Sequence, residues 1–455
     1  MSSKSKKINK KIIFQFLFLL GFSHPLFAVT STAPSEVAKN KKFVGMNSVP
    51  ADVDLTRSLN AVGTGPYFGI GSNYDGSDLV VLQPNIHKDL SLLIQHQRTA
   101  KFTKEYEGPR SPYVQISGYL EAQTTVENQA HNNINLTASN LDLSAWVNNW
   151  LTAYTNFGVE TDDTKDQHFR MIMGFITLGN LNYSPFYVSA GQMFVPFGSF
   201  STGTSAIGAI PRSVGRILEQ AVSAGFYQEN GLHVSGAVYD GKTQNSYHDN
   251  IDQYAGTVSY TQPYNVDNWL KKGKIRAGAS YTNNIAESNV IRTIFINNAP
   301  LDHYVPAFDL FANASVGPFV ARWELVQAIK HFSIKDLTQA GKPVKISSFM
   351  SELEYDTNIF NKGTAFVLHY SRIFQGSVAS RVKHQYGVTT SVNILRDTLL
   401  SFEYAHQTTY SNHNTLPVPF GNNFAVLDTS VVSALNSSFS GKDNNFVVVT
   451  LDLFF

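Results

Sequence analysis

Tyr113-Val114-Gln115-Ile116-Ser117-Gly118-Tyr119-Leu120-Glu121-Ala122-Gln123-Thr124-Thr125-Val126-Glu127 decides the fold. A strand sends successive side chains to opposite faces. Here Val114, Ile116, Leu120, Ala122 and Val126 fall on one face, and Gln115, Ser117, Glu121, Gln123 and Glu127 on the other. The pattern returns as Leu151, Ala153, Phe157, Val159 against Thr152, Asn156, Glu160, and as Ile275, Ala277, Ala279, Tyr281 against Lys274, Arg276, Ser280. It returns again as Phe319, Ala321, Trp323, Leu325 against Arg322, Glu324, and as Leu400, Phe402, Tyr404 against Ser401, Glu403, Gln407. Many ten-residue segments of this kind, apolar outside and polar inside, are the mark of a transmembrane barrel. Strands are predicted near 113–127, 134–147, 150–160, 168–178, 187–194, 220–227, 232–239, 253–262, 274–282, 307–316, 319–329, 344–355, 364–373, 384–395, 398–408 and 445–455. The predicted fold class is therefore all-β, a transmembrane antiparallel β-barrel of about sixteen strands. Segments 134–147, 168–178 and 364–373 alternate poorly, so fourteen or eighteen strands also fit.

The links between strands point the same way. Bacterial barrels place short turns on the periplasmic side and long loops outside. Asn148-Asn149, Asn230-Gly231, Gly317-Pro318 and Arg396-Asp397 follow even-numbered strands, whereas the long polar segments 195–219, 283–306 and 409–444 follow odd ones. The segment 263–273, after an even strand, is the exception. The last strand, Phe446 to Phe455, puts Val447, Val449, Leu451, Leu453 and Phe455 on one face. It is similar to the C-terminal signal read by the barrel-assembly machinery, so that machinery is an expected partner through Phe455. As a soluble edge strand it would be an aggregation hazard, which pairing with the first strand removes.

Composition agrees. The chain has 455 residues, of which 15% are charged and 13% aromatic, against about a quarter charged in soluble domains. Lys4, Lys6, Lys7, Lys10 and Lys11 precede an apolar run from Ile12 to Phe22 and then Pro25-Leu26-Phe27-Ala28. That is the layout of a secretory signal peptide over residues 1–28, too short for a spanning helix of about 20 residues. Without it the chain keeps 30 Lys+Arg and 34 Asp+Glu, a formal charge of −4; no basic nucleic-acid face is indicated. There is no Cys, which excludes disulfides, thiolate metal sites and a lipid-modified N-terminal Cys. Expected domains are thus the signal peptide 1–28, a periplasmic N-terminal segment 29–110, and the barrel 111–455. Within 29–110, residues 29–60 are polar, glycines recur at 63, 65, 69, 71 and 76, and an amphipathic helix is predicted from about Lys88 to Thr99 with Leu90, Leu93, Ile94 and Gln97 on one face. This region reads as a cap, a plug in the pore, or a tether.

Two motifs carry a family resemblance. Thr64-Gly65-Pro66-Tyr67 followed by Tyr74-Asp75-Gly76-Ser77-Asp78-Leu79, and Ser189-Ala190-Gly191-Gln192-Met193-Phe194-Val195-Pro196-Phe197-Gly198, resemble the LbtU-type siderophore porins over roughly residues 60–455. The resemblance implies an outer-membrane channel for ferric siderophore, without the large plug of energy-coupled receptors. It supplies no ligand-contact residue.

A pore selects by its width, by loops folded into it and by charges on its lumen face. Alternation places Glu121, Arg276, Arg322, Glu324, Glu352, Glu354 and Glu403 in the lumen, mixed in sign, so strong ion selectivity is not expected. The segment Val195–Glu219, with Arg212, Arg216 and Glu219, is either a constriction loop or an ordinary surface loop. The thirteen His show no His-Glu-x-x-His spacing; no metal site or cofactor is expected, since a ferric siderophore brings its own iron ligands. His233, His369 and His406 read as wall residues. With no Gly-x-Ser-x-Gly elbow, no catalytic residue is assigned. Tyr113, Trp150, Tyr187, Tyr355 and Phe455, near strand ends, fit an aromatic periplasmic rim. The expected partners are outer-membrane lipid and a small solute. The alternatives are a non-specific porin, or a barrel scaffold presenting 409–444 as an adhesive or partner-binding loop.

Overall fold

The computed structural model describes residues 86–94, 97, 113–128, 133–161, 167–204, 210–228, 231–245, 251–262, 273–295, 300–339, 341–360, 362–375, 382–395, 398–410 and 443–454. Sixteen antiparallel strands close into a barrel. They are β1 (Tyr113–Glu127), β2 (Asn133–Trp146), β3 (Leu151–Thr161), β4 (Gln167–Gly179), β5 (Phe186–Phe194), β6 (Leu218–Tyr227), β7 (Leu232–Tyr239), β8 (Gln253–Thr261), β9 (Gly273–Thr282), β10 (Ala307–Val316), β11 (Phe319–Ala328), β14 (Ser347–Ile359), β15 (Lys362–Phe374), β16 (Val382–Leu395), β17 (Thr398–Thr409) and β18 (Asp443–Phe454). A separate two-residue ladder, β12 (Thr338–Gln339) with β13 (Lys342–Pro343), lies between β11 and β14. The predicted segment 344–355 is thereby corrected: Val344 joins the packed link before the strand, and pairing begins at Ser347 and runs to Ile359. Closure runs from Tyr119↔Phe454 to Glu127↔Phe446, so the first and last strands have no open edge over that length. Phe455 lies outside the described residues, as do 1–85 and 411–442.

The two faces differ as hydrocarbon and water would require. Outward residues such as Ile116 at 63% and Leu368 at 57% exposure are apolar, whereas Ser117, Asn156, Thr257, Arg322 and Glu403 point inward and are buried. Among the described residues no helix is long and apolar enough to cross a membrane.

Poor alternation in two segments has a geometric cause. Pairing of β1 with β2 shifts between Glu121 and Ala122, leaving Thr137 without a counterpart. Ile134 and Leu136 therefore face out while Asn140, Asp142 and Ser144, also even-numbered, face in. In β4 the shift leaves out Ile172, so Phe169 and Met171 are exposed and Met173, Phe175 and Thr177 buried. A bulge moves later residues to the opposite face.

Short links sit at the end of the barrel where β1 begins and β18 finishes. Asn148 Oδ1 accepts from the amides of Trp150 at 2.8 Å and Leu151 at 2.9 Å, an Asx turn of the kind that ends one strand and starts the next. Gly317, at φ 58°, takes the left-handed conformation that the two-residue link from Val316 to Phe319 needs. At the opposite end the long links pack on one another. Tyr304 donates to Gln244 Oε1 at 2.8 Å and Asp252 Oδ1 at 2.9 Å, and Phe295 stacks on Phe332. Helix α3 (Asn289–Phe295) lies here, behind a 3-10 turn over Ile285–Glu287.

Candidate lumen constriction

Two pieces of chain lie inside the barrel. The first is the link between β5 and β6. Its described residues 195–204 are mostly buried, and helix α2 (Ile210–Gly215) follows. It folds inward because its own apolar residues need cover: Val195, Phe197, Phe200, Ile210, Val214 and Ile217 join one cluster with Ile285, Ile291, Val326 and Ile373. Gly198, at φ 80°, leaves room for the Phe200 ring, which an added Cβ would meet at 2.3 Å. Phe200 itself holds φ 50°, strained for a non-glycine residue.

Lumen carboxylates hold that backbone in place. Glu324 on β11 accepts from the amides of Ser199 at 2.7 Å and Phe200 at 2.8 and 2.9 Å. Glu352 on β14 accepts from the amide of Gly203 at 2.7 Å and from the hydroxyl of Thr202. The amide of Gly198 donates to Ser280 Oγ on β9 at 3.0 Å. Hydrogen bonds to charged acceptors are worth about 1.5–3 kcal/mol each, more than neutral ones. Behind them Arg322 pairs with Glu354 at 2.8 Å and Glu352 at 3.4 Å, and His369 Nδ1 lies 2.8 Å from Glu352. Gly203 lies directly over this pair, since a Cβ there would meet Glu354 Oε2 at 2.3 Å and Arg322 Nη1 at 2.7 Å.

The structure thus brings Arg322, Glu324, Glu352 and Glu354 together on β11 and β14, with Arg276 on β9 reaching Ser199 Oγ at 3.5 Å. Glu121 and Glu403 are also buried in the interior but on β1 and β17, away from this segment. Arg212 is half-buried in α2, and Arg216 is buried with its guanidinium over the Phe194 ring at 4.6 Å. Glu219 is a correction: it stands on β6, because pairing resumes at Leu218 opposite Phe194. Its carboxylate meets Arg292 of α3. Sequence reading missed Asp309 on β10, buried beside Glu324; among the described residues no N–H or hydroxyl donates to it. Its inward position in the alternation was the available signal. Among the described residues no three His, Cys, Asp or Glu are grouped to hold a metal ion.

The second piece is helix α1, described at 88–94 and 97 within the predicted 88–99. Leu90, Leu93 and Ile94 pack on Tyr187, while Ile86 and Leu92 join the larger cluster that includes Trp146, Tyr154, Ile172 and Met173. Tyr187, at 2% exposure, therefore faces the lumen and not the rim; Phe186 takes the outward place, because register puts odd residues of β5 inside. Polar contacts reinforce the dock: Ser189 Oγ donates to Asp89 at 2.9 Å, and Gln97 to the carbonyl of Leu181 at 3.2 Å. The Lys88 ammonium lies 5.2 Å from the Tyr154 ring centre, and the His87 and His233 rings meet edge to face at 4.8 Å. Burial lowers the Lys88 pKa against the pull of Asp142, and raises that of Asp89.

Relatives bear on the whole length. A UPF0422 protein of Coxiella burnetii (strain RSA 493 / Nine Mile phase I) is 30% identical over 86% of this chain and 83% of its own. The chain belongs to the UPF0422 family. A family member from Legionella pneumophila (strain Lens) is 25% identical over 76% of this chain and 69% of its own. Residues 114–289 match the model described as Protein of unknown function (DUF3573). Among solved structures, the anion-selective porin from Comamonas acidovorans has a TM-score of 0.50 at 13% identity, covering 76% of this chain and all of that one. That likeness shows a shared porin fold.

Proposed function

We propose that this UPF0422 chain is an outer-membrane channel for a small polar solute, with residues 198–204 setting its narrowest passage. The observation that carries the reading is a closed sheet, apolar outside and polar inside, with a segment fixed across its interior by Glu324 and Glu352. The porin fold shared with the Comamonas protein supports it. A leader at 1–28, export and insertion through the barrel-assembly machinery are part of the same reading. The cargo we propose is a ferric siderophore, as the resemblance to the LbtU-type porins implies. The interior wall around 198–204 carries charges of both signs, Arg276, Arg322, Glu354 and His369, which does not favour a bare ion of one charge.

Planar-bilayer recording of the purified chain with ferric siderophore on the loop side, together with uptake of labelled ferric siderophore by a deletion strain, tests this. Current interruptions and slowed uptake are expected. A channel indifferent to the chelate, in a strain with normal uptake, would leave the non-specific porin. No channel at all would overturn the transport reading.

A further inference from the structure

We propose that the outer wall at the loop end of β15 and β16 is a docking site for the phosphorylated headgroup of an outer-leaflet glycolipid, gripped by Arg372 and Lys383 beside His384. The inference rests on the outer-membrane placement above, and concerns the lipid-facing wall rather than the lumen.

An aromatic band fixes the height of this site. Trp323, Phe349, Tyr370, Tyr386 and His406 form a chain of ring contacts around the outside of β11 to β17, with centroids 5.8, 6.2, 5.0 and 6.4 Å apart. Amphipathic rings collect where hydrocarbon gives way to headgroups. Arg372 lies two residues beyond Tyr370 on the same outward face, about 7 Å further along the strand. Register places it between Phe349 and His384. Tyr370 Oη and His384 Nδ1 are 3.2 Å apart, and Lys383 stands in the bulge between Val382 and His384.

Charge identifies the occupant. From residue 357 to residue 396 the chain contains no Asp or Glu, but it does contain Lys362, Arg372, Arg381, Lys383 and Arg396. Arg372 lies over the Phe374 ring at 4.2 Å, and its Nε has no hydrogen-bond partner among the described residues. An outward-facing guanidinium that pairs with no carboxylate among the described residues, just above an aromatic band, has desolvation and self-repulsion to offset; a phosphate supplies bidentate acceptors and charge together. Asp443, the outward acid on β18, is three strands from Arg372 in register, about 14 Å away. Among the described groups at the hairpin itself, Arg372 and Lys383 act on His384 as cations.

The full chain in non-ionic detergent is offered lipid A bearing both phosphates, or the same lipid with both removed, and bound lipid is counted by native mass spectrometry. A preference for the phosphorylated lipid of about tenfold or more is expected from two cations near a membrane surface. Arg372→Gln with Lys383→Gln should bring the two lipids to near parity; Arg372→Lys with Lys383→Arg should keep most of the preference. Heat-modified gel mobility confirms an intact barrel, and Arg372→Gln alone, losing part of the preference, serves if the double variant does not fold. Equal binding of both lipids by the unaltered chain, or an unchanged preference in the Gln variants, would each overturn the proposal. A barrel that conducts yet shows no lipid preference sinks this inference alone; a chain that does not insert into bilayers sinks the outer-membrane reading with it.

Discussion

The segment 198–204 and helix α1 both lie inside the barrel, yet the wall holds the first by carboxylates and the second by leucines. The segment begins and ends on β5 and β6, hydrogen-bonded neighbours, so it cannot leave without breaking its bonds to Glu324 and Glu352. The helix precedes β1 in the chain, and what holds it is side-chain packing on Tyr187 with the hydrogen bonds Ser189–Asp89 and Gln97–Leu181. The difference is physical: the position of the segment is set by directional, charge-assisted bonds, that of the helix chiefly by non-directional burial.

The comparison breaks most sharply at Arg322. Arg322→Met strands Glu352 and Glu354 side by side, and losing one member of a buried ion pair costs about 3–5 kcal/mol. A lowered unfolding temperature is expected, with faster amide exchange in 198–204 and unchanged exchange in α1. Leu90→Ala should do the reverse, loosening α1 by about 2–4 kcal/mol while 198–204 keeps its protection; equal loosening of both would show that they act as one body. Glu324→Gln keeps an acceptor but loses its charge, and should weaken the segment by about 1–2 kcal/mol, read as faster exchange at Ser199 and Phe200.

Acidity gives the smallest effect, and the two pieces should respond differently. Burial, with His233 and Arg276 close by, holds the His87 imidazole well below 6.5. A proton therefore binds the undocked helix more readily. The His87 contribution to docking is fully present above pH 6.5 and is lost as pH falls below it. Asp89, raised by burial, acts in the opposite sense and favours docking as it protonates. Exchange in 88–94, corrected for intrinsic rate, should rise on mild acidification by up to about tenfold per pH unit. His87→Gln should abolish that rise and leave the Asp89 strengthening exposed.

Sequence periodicity carried the sheet and its parity because one side of nearly every strand meets an apolar medium and the other water. It faltered where that condition fails. Ile172, Met173 and Phe175 face inward yet are apolar because they join the cluster reached by Ile86 and Leu92; Val367 faces inward yet is apolar because Gly203 lies against it. Inward apolar residues on these strands thus report an occupied lumen, as distinct from the bulges that shift the alternation in β2 and β4, and that signal is readable only once the occupant is known. The lumen positions of Arg322, Glu324, Glu352 and Glu354 were legible from alternation, but that they grip a backbone was not. Contacts between residues more than a hundred positions apart, such as Phe200 with Glu324, leave no periodic trace.

Single-channel conductance of the unaltered chain against Glu324→Gln/Glu352→Gln tests most directly whether 198–204 narrows the pore. A stepwise larger and noisier open current in the double variant is the expected result, with the barrel intact by circular dichroism. Identical conductance in both would mean that ions pass elsewhere and that the hold of Glu324 and Glu352 on 198–204 has no part in transport.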